Sequence, residues 1–315
     1  MTEFKLYVNG AGLNGFAGNI EWSSNKDTLG CSLSFEVPFG EEGTSFPERF
    51  IKPGDKVTLR HGANLEFFGI IVDEAINGRN PVKYTAFDLA FYLNKSEMTI
   101  QFNKKPISQC IEQICKKYNI RCEVIPISTP ITKIYKGEVA SEIIKDLLDT
   151  ARLKTGTRYR FEMKGDRFNV FKWVEMKNEV YTHWIDSPTR NLSIQEMKNS
   201  ILVVADGEKI SKPSAIASDE SNIAKYGLLT KVETISDKEK RSAQTVANNL
   251  LKQLNKVQET GGGTFVGDRN VRAGRLFKLN ERVTGWSGDV VITDAKHSIS
   301  NGIHLMQLSW EVWDE

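Results

Sequence analysis

The chain has 315 residues, 42 Lys and Arg against 40 Asp and Glu, and a formal net charge of +2. At roughly 100–200 residues per domain, this length holds two or three domains, each able to bury a core. The balanced charge argues against a nucleic-acid binder, which needs a concentrated basic excess to neutralise phosphates, and no run approaches the ~18–20 apolar residues of a membrane span. The amino terminus, MTEFKLYVNGAGLNG, has no apolar stretch of signal-peptide length. Four cysteines in so long a chain make no disulfide framework. We therefore expect a soluble protein made in the cytoplasm.

The first hundred residues read as short strands between turns. Asn19–Ser24 and Cys31–Val37 are strands, the second with Leu33, Phe35 and Val37 alternating against Ser32, Ser34 and Glu36. A polar loop, FGEEGTSFPERF, leads to a turn at Pro53-Gly54-Asp55, a strand at Lys56–Arg60 and a longer strand at Leu65–Ile76, interrupted by Gly69. After the turn Asn77–Pro81, Val82–Phe87 returns as a strand. Short strands punctuated in this way predict a sandwich or barrel.

From Lys104–Pro106 the texture becomes α+β. Ile107, Cys110, Ile111, Ile114, Cys115 and Tyr118 recur at steps of three and four, the buried stripe of one helix. Cys110, Cys115 and Cys122 do not have the spacing of a zinc site and are expected to be buried thiols. A strand at Arg121–Ile125 and a second amphipathic helix through Val139, Ile143, Ile144, Leu147, Leu148 and Ala151 follow. Thr157–Met163 and Arg167–Val174 then form a hairpin about Lys164-Gly165-Asp166.

Beyond Pro188 the β pattern resumes at Asn191–Gln195 and Ile201–Ala205, then a polar connector, DGEKISKPSAIASDESN, and a strand at Leu228–Ile235. Ser236 and Glu239 stand as a capping box for a helix over 237–257. Gly261-Gly262-Gly263, with neither a following Lys-Ser/Thr nor a helix to open, is expected to terminate that helix or act as a hinge.

An internal echo links the two ends. Pro53-Gly54-Asp55, VTL, Gly69 with IIVDEAIN, a turn and VKYTAF is answered by Ala273-Gly274-Arg275, LFKL, Gly288 with DVVITDAKHSI, a turn and IHLMQLSWEV. The match is of pattern rather than identity, and it points to two related β-barrels with the α+β block between them. The fold class expected is mixed β with an α+β insertion: a first barrel over 1–100, the insertion over 101–186, and a second barrel over 187–315 that includes the long helix.

For chemistry the best candidates are His297 and His304, around Asn301-Gly302. A two-residue hairpin loop there pairs Ser300 with Ile303, Ile299 with His304 and His297 with Met306, which puts both histidines on one face. The rest of that face, Ala295, Ile299, Met306, Leu308 and Trp310, supplies no third ligand, so the pair is expected to be buried and hydrogen-bonded. His183 lies in another block and His61 at a turn. No catalytic motif appears, so no catalytic, metal or cofactor-binding residue is assigned and no enzyme activity is expected. Trp310 and Trp313 are expected as core or interface anchors rather than a sugar platform.

KYGLLTKVETISDKEKRSAQTVANNLLKQLNK, VGDRNVRAGRLFKL and GDVVITDAKHSISNGIHLMQLSWEV resemble the XkdQ/YqbQ-type phage tail (baseplate) hub family, itself related to late control D-like hubs. QEMKNSILVVADGEK resembles the segment that opens that family's second barrel, whereas TGGGTFVGD is more glycine-rich than the family suggests. The likeness covers residues 190–315 well and the first hundred only in strand pattern. It implies two tail-tube-like barrels per chain and a homotrimer whose six barrels form a pseudo-sixfold ring, adapting a hexameric tail tube to a trimeric central spike. The implied partners are copies of itself, the tail tube protein, the central spike and other baseplate proteins, in a phage, prophage or bacteriocin particle. The competing readings are a cell-wall or carbohydrate-binding module, motivated by β-rich domains and six tryptophans, and a hydrolase with dispersed carboxylates.

Overall fold

The computed structural model describes residues 4–13, 15–40, 50–173, 186–205, 213–235 and 243–313. Its contacts divide the chain into two units, Met1–Pro188 with Gly262–Glu315, and Thr189–Gly261. The first unit opens with seven strands: β1 (Phe4–Val8), β2 (Ala11–Gly12), β3 (Gly18–Asn25), β4 (Cys31–Val37), β5 (Lys56–His61), β6 (Asn64–Ala75) and β7 (Val82–Asp88). They lie side by side in the order β3-β4-β7-β6-β5-β1-β2. Alternation decides what each strand buries: Leu33, Phe35 and Val37 of β4 pack with Val57, Leu59, Phe67, Ile71 and Tyr84. The polar loop at 39–50 falls almost wholly outside the described residues.

The α+β block is built from α1 (Ala90–Lys95), β8 (Glu97–Pro106), α2 (Ile107–Lys117), β9 (Arg121–Val124), β10 (Pro130–Val139), α3 (Ala140–Thr155), β11 (Tyr159–Lys164) and β12 (Arg167–Lys172). Pro106 immediately precedes α2, where its missing N–H leaves no bond unmade. The helical stripe is as spaced: Ile107, Cys110, Ile111, Ile114 and Cys115 are fully buried. They meet Ile143, Ile144, Leu147, Leu148 and Ala151 of α3, which ends at Gly156 in the left-handed region. The β11–β12 hairpin forms as expected, and β9 adds to it in parallel.

The second unit is entered through β13 (Asp186–Ser193) and left through β17 (Gln258–Val266). Between them β14 (Ser200–Ala205) is flanked by β15 (Ala215–Ser218) and β16 (Thr230–Ile235), with α4 (Glu220–Tyr226) and α5 (Ala243–Leu254). Ile201, Val203, Ala215 and Ala217 face Ala243 and Ala247 of α5. The polar connector is therefore not wholly irregular, since it contains β15 and the start of α4. Ser236 and Glu239 lie outside the described residues. The three glycines correct an expectation: they do not end the helix but sit inside β17. The stop comes earlier, at Asn255, whose N–H reaches Leu251 O at 2.8 Å and whose amide donates to Asp219 at 2.7 Å.

The chain closes with β18 (Leu276–Glu281), β19 (Trp286–Ser300) and β20 (Ile303–Val312). Here the echo becomes topology. In the second unit β13 lies beside β17; in the first, the continuation of β17 lies beside β20, then β19, which holds β18. The order β13-β17-β20-β19-β18 repeats β3-β4-β7-β6-β5 strand for strand. Backbone bonds repeat too. Gly54 N–H reaches Ile71 O at 2.7 Å and Ile71 N–H reaches Asp55 O at 2.9 Å; Gly274 N–H reaches Ile292 O at 2.7 Å and Ile292 N–H reaches Arg275 O at 3.0 Å. Register slips at Ile71/Asp73 in one repeat and Ile292/Asp294 in the other. Gly69 and Gly288 are not equivalent, since they oppose Val57 and Leu279 at different depths along their hairpins. The later half of β19 pairs with β3, from Asp294 opposite Asn25 to Ile299 opposite Ile20, so both repeats share one sheet.

Candidate functional site

The turn ahead of β18, Val271–Arg275, is held by three arginines. Arg272 is buried, and its guanidinium donates to Met163 O at 2.8 Å and Glu66 O at 3.0 Å. Arg160, on β11, reaches in the opposite sense, donating to Lys26 O at 2.7 Å and Ala273 O at 3.0 Å. Arg275 forks onto Glu162 at 3.0 and 2.8 Å, a planar two-bond match between guanidinium and carboxylate. Trp173 donates its indole N–H to Gly274 O at 2.8 Å, and Ser24 Oγ accepts from Ala273 N–H at 3.1 Å. One loop thus ties together β3, β6 and the β11–β12 hairpin. Gly274 is required twice over: its φ is +84°, and a Cβ there would fall 1.9 Å from Arg160 Nε.

Beside this network lies Asp88, buried at the end of β7. Its two oxygens accept from the N–H groups of Cys31 at 2.6 Å and Ala90 at 3.0 Å. Burial raises its pKa to about 7, although those N–H groups and Arg272 act to lower it. Burial likewise pushes the Cys31 thiol up to about 12. Guanidinium groups locked on carbonyls and a carboxyl held by its own turns can fix geometry; they present neither an activated nucleophile nor an open ligand set.

The histidine pair forms in the expected register: Ser300 opposes Ile303, Ile299 opposes His304 and His297 opposes Met306. His297 Nε2 lies 2.8 Å from Val271 O, which can only accept, so Nε2 carries the proton. Nδ1 is then an acceptor and takes the Nε2–H of His304 at 3.1 Å. Trp22 stacks on His297 with centroids 4.6 Å apart and planes 2° from parallel. Burial pushes His297 down to about 3, and burial together with the neighbouring His61 lowers His304. The pair is a neutral relay ending on the Val271 carbonyl, and so belongs to the same loop. His61, at the end of β5, meets Phe4 at 4.4 Å, and Phe4 in turn meets His304 at 5.1 Å. His183 lies outside the described residues.

Cys110 and Cys115 are buried, with burial raising both thiols, Cys110 to about 11. Among the described residues no three of His, Cys, Asp and Glu are grouped to hold a metal. Trp310 is fully buried, with Phe265, Phe277 and Trp286 edge-on around it, and so offers no ring face to a sugar. Trp313 packs on Trp173 at 5.2 Å. Sequence reasoning singled out the histidines and missed the arginine network. The available signal was Arg269, Arg272 and Arg275 at steps of three around a glycine turn, a spacing that on its own reads as a solvated basic loop.

This fold is shared with solved tail proteins. The structure is similar to the 43 kDa tail protein of prophage MuSo2 from Shewanella oneidensis, with a TM-score of 0.76 at 15% identity over 98% of this chain and 96% of that one. The sequence matches the YQBQ-like family over residues 20–311, and the chain belongs to that family. It is similar to the uncharacterized protein YqbQ of Bacillus subtilis strain 168, 23% identical over 274 residues covering 82% of this chain and 81% of that one. It is also similar to the XkdQ protein of the phage-like element PBSX from the same strain, 24% identical over 196 residues and 59% of each chain. The resemblance read from the last third of the sequence therefore extends across nearly all of it. Among the described residues no helix is long and apolar enough to cross a membrane.

Proposed function

We propose that the chain is a structural hub of a phage or phage-derived tail baseplate. In this reading the strands of 1–100 and those of 187–315 are two tail-tube-like barrel domains, 101–186 is the α+β domain between them, and three chains form a pseudo-sixfold ring. The ring starts the hexameric tail tube on one face and receives the trimeric central spike on the other, among other baseplate proteins. The work is assembly rather than catalysis: the chain is made in the bacterial cytoplasm and built into the particle. The observation that carries the reading is the repeated strand order, β3-β4-β7-β6-β5 answered by β13-β17-β20-β19-β18. One chain that supplies two like units lets three chains present six, and a closed ring ends growth while leaving few sheet edges exposed. The arginine network suits that task, since a rigid loop fixes the angle between one repeat and the α+β block. Light scattering on the purified protein, alone and with spike or tube protein, tests it. Three chains per particle are expected, and a strict monomer that binds neither would overturn it.

A further inference from the structure

The repeat makes one junction, and its counterpart has no partner strand among the described residues. Within the chain, β3 of the first repeat pairs with the later half of β19 of the second, Asp294 facing Asn25 and His297 facing Trp22. The strand equivalent to β19 is β6, whose later half pairs with β7 on one side; on the other its pairing with β5 ends at Ile70, opposite Lys56, and no strand among the described residues pairs beyond it. The strand equivalent to β3 is β13, the end strand of its sheet order. Both span eight residues, and in both the second residue has a left-handed φ, 47° at Asn19 and 52° at Ser187.

The geometry points to a second copy of this chain as the occupant of the β6 edge: β13 of one copy adds antiparallel to the later half of β6 of the next, reproducing β3 on β19. This rests on the ring proposed above and specifies its interface between chains. The shared register slip aligns Asp73 with Asp294, and the strand ends align Ser193 with Asn25. Carrying the internal pairing over, Asp73 faces Ser193, Glu74 faces Leu192, Ala75 faces Asn191 and Ile76 faces Arg190. No like charges oppose one another, and Arg190 lies diagonal to Glu74. Ile76 and Leu192, 51% and 59% exposed in the single chain, become diagonal neighbours on one face. Internal and external junctions then alternate around the ring, each consuming an edge that would otherwise recruit strands indiscriminately.

The test is a directed cross-link in the full-length protein. Facing Cβ atoms in an antiparallel pair lie roughly 4.5–5.5 Å apart, close to disulfide reach. Mixing Asp73→Cys with Ser193→Cys and oxidising should give a linked dimer containing the 73–193 peptide by mass spectrometry. The double variant should give a ladder up to the closed ring, and neither single variant should link to itself. An oligomer of three chains with no 73–193 link overturns this edge pairing and leaves the ring reading standing. A link between two copies of the Asp73→Cys variant shows a twofold contact and overturns it. A monomer under all conditions, including with spike or tube protein, overturns both.

Discussion

Arg272→Met removes the centre of the loop network while keeping most of the side chain's apolar volume. The guanidinium is buried and makes two hydrogen bonds to backbone carbonyls, at 2.8 and 3.0 Å. Bonds from a charged donor contribute about 1.5–3 kcal/mol each, and buried carbonyls left without partners add a desolvation penalty unless water reaches them. A loss of about 3–5 kcal/mol follows, in the range found when one member of a buried ionic contact is deleted. No tryptophan falls within Thr189–Gly261, and Trp22, Trp173, Trp286, Trp310 and Trp313 lie in the first unit, so tryptophan fluorescence reports the unfolding of the first unit. With a urea slope of about 3 kcal/mol per molar, the midpoint should fall by roughly 1–1.7 M without a change in slope. Arg272→Lys, which keeps the charge but not the fork, should recover only part of the loss. A midpoint within about 0.3 M of wild type would refute the idea that this loop holds the repeat to the α+β block.

The two equivalent turn glycines should respond differently. Gly54→Ala meets nothing within 4 Å at φ +96° and should cost only the left-handed backbone term, about 1–2 kcal/mol, whereas Gly274→Ala must also displace Arg160 and should cost several kcal/mol more. Equal melting temperatures for the two variants would contradict this. Acid sensitivity should follow His297, whose pKa is about 3 in the fold against an ordinary 6.5. A base held neutral contributes stability that is whole above pH 6.5 and lost as pH falls from there towards 3, up to about 5 kcal/mol. Asp88 acts in the opposite sense, its contribution lost as pH rises from 3.8 to about 7, and so partly offsets the change. Melting curves of His297→Leu between pH 7 and 4.5 should fall less steeply than those of wild type; parallel curves would remove His297 as the cause.

Local pattern was legible wherever a face had to be buried. The alternation in Cys31–Val37 and the stripe from Ile107 to Cys115 fixed their elements because burial on one side leaves one periodicity. Asn301-Gly302, with φ of 51° and 75°, fixed the register that brings His297 to His304. The β8–β10 pair was not legible: Glu97–Pro106 is largely exposed and polar, and its partner lies across α2 and β9 in the chain. The three glycines misled because a helix stop and a strand interior both tolerate glycine, and the true stop at Asn255 depends on Asp219, 36 residues earlier. Arg160, Arg272 and Arg275 were unreadable for the same reason, since their acceptors come from distant strands. The echo was visible as a pattern at Gly54 and Gly274; its completion by β3 and β13 required the sheet order, because the second unit separates β13 from β17.

The most direct measurement is an end-on image of the isolated oligomer, taken with its native mass. The account predicts three chains arranged as six similar densities around an open channel, with threefold symmetry once the α+β blocks are resolved. A particle of any other chain number, or three lobes with no sixfold repeat in the ring, would contradict it.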